Sequence, residues 1–218
     1  MKQQKGFTLV EMAIVLVIIG LLLGGVLKGQ ELIDNSKIKN AMNDIKGVSA
    51  ANNGYFDRFR AQAGDDGPVL VNLTARGGAW ANVTLFGNAN GALNVTAAQT
   101  FTGADENGAF FAHTRAAGFL AGNAALGAVV ETLPTNPFGG LIGVTAVGVT
   151  GMPVNGKYVC LSRVPGKAAR AIDTSMDNGL PNSGTIMSTT GAAAGHTNPG
   201  AAAAAYLDTA IYTLCAPM

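Results

Sequence analysis

The sequence predicts an α+β protein, with one long N-terminal helix packed on a small antiparallel β-sheet head. Three observations carry that prediction. Met12–Leu27 contains no charged residue, and with its flanks it is long enough to cross a ~30 Å hydrocarbon layer as helix. An amphipathic pattern then continues to Phe59, with no proline before Pro68. Beyond residue 60 lie most of the 30 glycines, and short apolar runs alternate there with Gly, Pro and Asn, the pattern of strands and turns.

Composition narrows the function classes. The 218 residues allow one compact domain with an appendage. Fourteen Lys and Arg against thirteen Asp and Glu leave a net charge of +1, so no broad basic surface grips a nucleic-acid backbone, and no specific nucleic-acid partner is inferred. Only 12% of residues are charged and 48% are apolar. That is too apolar for a disordered chain and points to a membrane segment or a buried assembly surface. Two His and two Cys leave a four-ligand zinc site almost no donors to draw on.

The first element begins with Lys2 and Lys5 ahead of the apolar run, as in a secretory signal, but no clear small-residue cleavage site follows that run. Charge and hydropathy alone leave an uncleaved signal anchor open. The run Lys5-Gly6-Phe7-Thr8-Leu9-Val10-Glu11, opening a charge-free helix, resembles the prepilin signature of type IV pilins and the related pseudopilins. The resemblance implies that a dedicated membrane peptidase cuts after Gly6 and methylates the new N-terminal residue, Phe7. Residues 1–6 are then a leader, and residues 7–28 remain as the transmembrane and assembly half of the helix. Lys2 and Lys5 hold the leader end in the cytoplasm, and their loss changes the net charge from +1 to −1.

Glu11 is the residue with most at stake. A carboxylate inside a membrane helix costs roughly 3 kcal/mol unless paired or neutralised. The resemblance implies a partner, the N-terminal amine of Phe7 on a neighbouring subunit. The residues alone leave two other roles open, a side chain that snorkels to the headgroups or one that caps the helix N-terminus.

Residues 29–60 form the amphipathic half. Leu32, Ile33, Ile38, Ala41, Met42, Ile45, Val48, Tyr55, Phe56 and Phe59 recur mainly at three- and four-residue steps, with polar residues opposite, as in a half-buried helix. One helix from about Phe7 to Phe59 would measure ~80 Å at ~1.5 Å per residue, so part of it is expected to project. Gly20, Gly24, Gly25 and Gly29 allow close helix approach but weaken the helix. Many pilins carry a proline some fifteen residues after the glutamate. This chain does not, so any melting on assembly would centre on Gly24-Gly25.

Residues 61–218 form the head, with a C-terminal disulfide region. Ala-Gln-Ala-Gly-Asp-Asp-Gly-Pro after Arg60 ends the helix. A further helix is expected near Asp105–Phe119. Strands are expected at Leu141–Val149, Lys157–Arg163, Gly184–Ser188 and Ile211–Cys215, and Ala201–Ala205 reads as a short helical or irregular link. An even cysteine count outside the cytoplasm favours a Cys160–Cys215 disulfide over two buried thiols, and a C-terminal disulfide region also resembles pilins. Asp173, Ser175 and Asp177 resemble the start of a calcium loop, but the following glycine comes one place late and no distal Glu appears. Asp-Asn-Gly is equally turn chemistry after a short helix. Calcium, with Asp173 and Asp177 as ligands, is therefore the one cofactor expectation beyond none.

The remaining signals carry no chemistry. Asn72, Asn82 and Asn94 open Asn-x-Thr triplets that match a glycosylation pattern but read as solvent-facing Asn and Thr, and Trp80 reads as a packing residue. His113 and His196 support no Ser-His-Asp arrangement, and no catalytic site is visible. The resemblance implies a structural subunit, not an enzyme, of a type IV pilus-like filament. It would be held in the bacterial inner membrane as precursor, processed by prepilin peptidase, and polymerised with copies of itself into an extracellular pilus. Two alternatives stand beside it: a periplasmic pseudopilin of a type II secretion system, and a signal-anchored extracytoplasmic binding protein that never polymerises.

Overall fold

The computed structural model describes residues 8–124, 133–154 and 156–218. Helix α1 runs without a break from Leu9 to Phe59, followed by a four-stranded antiparallel sheet, so the architecture is α+β and pilin-like. The chain divides into two compact units, residues 1–37 and 38–218.

In the first unit every described residue through Lys28 is exposed. A helix satisfies its own backbone groups, so it needs no neighbour to form. Its apolar side chains stay unpartnered, from Leu9 through Leu27. The helix continues through Gly24-Gly25 because nothing replaces its internal hydrogen bonds there. Lys28 and Glu31 form an exposed ion pair at 2.7 Å, of little energetic weight.

The second unit contains the rest of α1, α2 (Leu70–Thr74), α3 (Asp105–Ala116), β1 (Ile142–Thr145), β2 (Tyr158–Pro165), α4 (Gly166–Met176), β3 (Met187–Gly191) and β4 (Ile211–Pro217). Spatial order is β1-β2-β4-β3, which puts β2 and β4 at the centre. Ala41, Ile45, Val48 and Tyr55 of α1 share one buried cluster with Leu141, Val144, Val159, Leu161 and Leu214 of the sheet region. The amphipathic pattern overstates the buried face. Leu32, Ile33 and Phe56 are exposed, whereas the polar Asn52 is buried, its Oδ1 accepting from Gln62 Nε2 at 2.7 Å.

The strand boundaries move for local reasons. Thr145 Oγ1 accepts from Val147 N–H at 3.1 Å, a side-chain turn that ends β1 well before Val149. Asp177 accepts from the backbone N–H groups of Thr185 and Ile186, so β3 begins only at Met187. A bulge sets Ser162 and Arg163 of β2 against Thr213 of β4, with Arg163 at φ +58°, and the strand continues to Pro165. Helix α4, for which the sequence suggested only a turn after a short helix, buries Ala168, Ala169, Ile172 and Asp173. Residues 201–205 contain no helix or strand.

Helix α3 ends at Ala116 because Gly118, at φ +82°, permits a Schellman closure. Phe119 N–H reaches Thr114 C=O at 2.9 Å and Gly118 N–H reaches Arg115 C=O at 3.0 Å. Phe119 is thereby freed from the helix to lie over Gly54 of α1, where a Cβ would meet its ring at 2.8 Å. The three Asn-x-Thr triplets share one pattern. Leu73, Val83 and Val95 are buried while Asn72, Asn82 and Asn94 are exposed, so each triplet anchors its segment with one aliphatic side chain.

Candidate assembly site and its supports

At the start of α1 the first backbone N–H groups have no helical acceptor. Thr8 and Glu11 satisfy them reciprocally. Thr8 N–H and Thr8 Oγ1–H each donate to Glu11 Oε2 at 2.8 Å, while Glu11 N–H donates to Thr8 Oγ1 at 3.3 Å. This is a capping box, with Thr8 as N-cap. Within a single chain Glu11 therefore takes the helix-capping role, using one carboxylate oxygen. Gly6 and Phe7 lie outside the described residues.

The end of α1 is held by a buried polar cluster that the sequence reading treated only as a turn. Asp66 accepts from Tyr55 Oη at 2.6 Å and from Arg76 at 2.9 Å. The Arg76 guanidinium lies over the rings of Phe59 and Trp80, 4.7 and 4.6 Å from their centroids. Burial, the Asp66 hydrogen bond and the Asp66 charge all push the Tyr55 hydroxyl far above its ordinary range. Asp65 accepts from Asn90 and Gly91 N–H, tying residues 87–91 to the same turn. Aspartates in a Gly-rich run read as solvent-exposed turn formers, so no sequence signal marked Asp65 and Asp66 as buried.

His113 is fully buried on α3. Gly64 N–H donates to its Nδ1 at 3.2 Å, so the ring hydrogen sits on Nε2 and is donated to Leu85 C=O at 3.0 Å. Burial is the main force holding the imidazole neutral and lowers its pKa to about 4. Helix end, turn and α3 are thus joined through one side chain.

In the sheet, Cys160 and Cys215 are directly opposed on β2 and β4. They form a disulfide, with Cα atoms 4.1 Å apart, the close approach of a non-hydrogen-bonded antiparallel pair. Both residues are fully buried.

Asp173 and Asp177 are engaged by the protein's own donors. Gly179 N–H reaches Asp173 Oδ1 at 2.8 Å and Tyr206 Oη reaches Oδ2 at 2.7 Å. Thr185 and Ile186 N–H converge on Asp177 Oδ2 at 2.6 and 2.9 Å. Burial, more than any other influence, raises the Asp173 pKa. Among the described residues no three His, Cys, Asp or Glu side chains gather as a metal site.

The fold also joins Ser162 Oγ to His196 Nδ1 at 2.9 Å, across a sequence gap that no motif spans. Ser162 has no exposed surface, and its Oγ accepts from Leu141 N–H at 2.8 Å. The pair therefore ties the segment containing His196 to β2, and its hydroxyl is out of a substrate's reach.

Comparison with known families places residues 1–27 on the family model described as the prokaryotic N-terminal methylation motif, the type IV prepilin signature. The motif implies prepilin peptidase processing and insertion of the helix into a membrane. No curated protein matches the chain.

Proposed function

We propose that this chain is a structural subunit of a type IV pilus-like filament. In this reading it is held in the bacterial inner membrane by residues 7–28, cleaved after Gly6, methylated on Phe7, and polymerised through α1 into a surface fibre. The observation that carries the reading is the wholly exposed apolar helix from Leu9 to Leu27 with Glu11 as its single charge. Such a surface is unstable in water and is covered either by lipid or by copies of itself. In the membrane the capping box supports Glu11; in the fibre the Phe7 ammonium of a neighbour is its partner. Residues 61–218 form the coat, closed by the Cys160–Cys215 disulfide, with Asp173 and Asp177 acting as turn organisers and no catalytic role.

Shearing cells that express the native chain, followed by mass spectrometry of the fibre and membrane fractions, tests this. The expected result is a peptide beginning at N-methylated Phe7 in the sheared fibre. The same processed peptide confined to membranes would replace the pilus by a type II secretion pseudopilus or a scarce subunit. An uncut N-terminus in both fractions would favour the signal-anchored binding protein and end the filament reading.

A further inference from the structure

The chain carries five Asn-Gly pairs. In this dipeptide the backbone nitrogen reaches the preceding carboxamide most easily, because glycine has no Cβ to obstruct the approach. Four of the pairs lie wholly within the described residues. Asn53-Gly54 and Asn107-Gly108 sit inside α1 and α3, where the helical ladder occupies the glycine N–H; Gly108, for example, donates to Ala104 C=O at 3.1 Å. Asn90-Gly91 and Asn178-Gly179 lie in loops with the asparagine exposed, outside any ladder.

These two loops, from unrelated parts of the chain, share one arrangement. Each asparagine Oδ1 accepts from the N–H two residues on, that of Ala92 or Leu180, at 2.9 Å. Each glycine is left-handed, with φ +86° at Gly91 and +79° at Gly179. Each glycine N–H donates to a buried aspartate, Gly91 to Asp65 Oδ2 at 2.6 Å and Gly179 to Asp173 Oδ1 at 2.8 Å. The other oxygens of those aspartates accept from Asn90 N–H and Tyr206 Oη, which fixes both carboxylates in place. A turn of this kind needs only the asparagine and the glycine, whereas a buried carboxylate adds a desolvation cost.

We infer that Asn90 and Asn178 are latent deamidation sites, and that Asp65 and Asp173 keep them closed by holding the glycine N–H. In the reaction they oppose, the glycine nitrogen attacks the asparagine Cγ and loses its proton. A C–N bond forms, the carboxamide nitrogen leaves as ammonia, and a succinimide ring results. Water then opens the ring to aspartate or isoaspartate, with no oxidant or cofactor consumed. The carboxylate hinders the first step in two ways. Its hydrogen bond keeps the proton on a planar nitrogen, and its charge disfavours the negative charge that develops there as the proton departs.

The test ages the full chain in detergent and mildly alkaline buffer, folded or unfolded in urea. Digestion and mass spectrometry then resolve asparagine, aspartate and isoaspartate at each site. Asn90 and Asn178 are expected to convert at least about tenfold more slowly in the folded chain, the effect of one charge-assisted hydrogen bond on a barrier; equal rates overturn the inference. Asp65→Ala is expected to speed Asn90 about tenfold and leave Asn178 within about twofold, and Asp173→Ala to do the reverse. Asp65→Asn and Asp173→Asn keep one acceptor oxygen and should give smaller gains at the same sites; they serve where an alanine variant does not fold. A folded variant whose own site converts no faster overturns the inference, and slower conversion would make the aspartate the base that promotes the reaction. Amide hydrogen exchange at Ala92 and Leu180 separates lost protection from a loosened loop, since these N–H groups bond to the asparagine and not to the aspartate. They should exchange as slowly as in the unaltered chain. Exchange that quickens by the same factor as the conversion would mean that the aspartate only braces its loop, and the inference fails.

Discussion

Tyr55, in the last turns of α1, donates a 2.6 Å hydrogen bond to Asp66, and the same carboxylate oxygen receives Arg76 at 2.9 Å. Asp66 thereby makes the turn after α1 a fixed joint. Tyr55→Phe removes one buried donor and should cost about 1–3 kcal/mol. Asp66→Ala should cost more, because it leaves the Tyr55 hydroxyl without its acceptor and the Arg76 guanidinium without its carboxylate, with only the Tyr55 oxygen left to accept from it. Denaturant unfolding of the full chain in detergent, with Trp80 fluorescence as probe, checks the ranking; equal stability of all three proteins would contradict the joint.

His113 makes stability pH-dependent. Its folded pKa is lowered to about 4 from an ordinary 6.5, so between those values the unfolded chain binds a proton that the folded chain does not. Stability from this group is complete above the unfolded pKa and is lost as pH falls from 6.5 toward 4, by roughly 3 kcal/mol. Glu106 and Asp173, whose carboxyls burial raises, act in the opposite sense as they protonate. The His113→Gln protein should therefore lose the downward slope between pH 6.5 and 4, as measured by melting temperature at half-unit steps.

Reduction of the Cys160–Cys215 bond, or its replacement by two alanines, should cost about 4 kcal/mol on chain-entropy grounds for a separation of 55 residues. Because both sulfurs are fully buried, mild reductant should act only when the head opens. A reduction rate that fails to rise with denaturant would argue against this.

Asp173 and Asp177 should respond to substitution and not to calcium. Asp173→Asn loses the charge on the acceptor for Gly179 and Tyr206 and should lower stability by about 1–2 kcal/mol, with or without calcium. A melting temperature that rises with added calcium in the unaltered protein, and not in Asp173→Asn, would establish the cation site.

For Glu11→Ala, the helix should still insert, since the change removes a costly charge from an apolar stretch, but entry into fibres should fall by more than tenfold. Membrane and sheared fractions, compared by immunoblot, give both quantities at once.

Legibility in the sequence followed the range of the forces involved. The uninterrupted α1 was readable because apolar periodicity and the absence of proline act over a few residues. Four strands were found near their true positions for the same reason. Their ends were not, since Asp177 acts on Thr185 and Ile186 from eight and nine residues away, and the bulge in β2 exists only opposite Thr213 of β4. Helix α3 was expected through Phe119, and only the Gly118 closure removes that ring from the helix.

By itself the sequence determined the prepilin signature, the membrane-length helix, the α+β class and the even pair of cysteines. All of these depend on local composition and spacing. Tertiary structure alone decided that Asp65 and Asp66 are buried, that His113 joins Gly64 to Leu85, that Ser162 meets His196, and that Leu32, Ile33 and Phe56 stay outside the core. Burial of a polar residue is favourable only when distant parts of the chain supply its hydrogen-bond partners, and no window of local sequence contains both halves of such a bond.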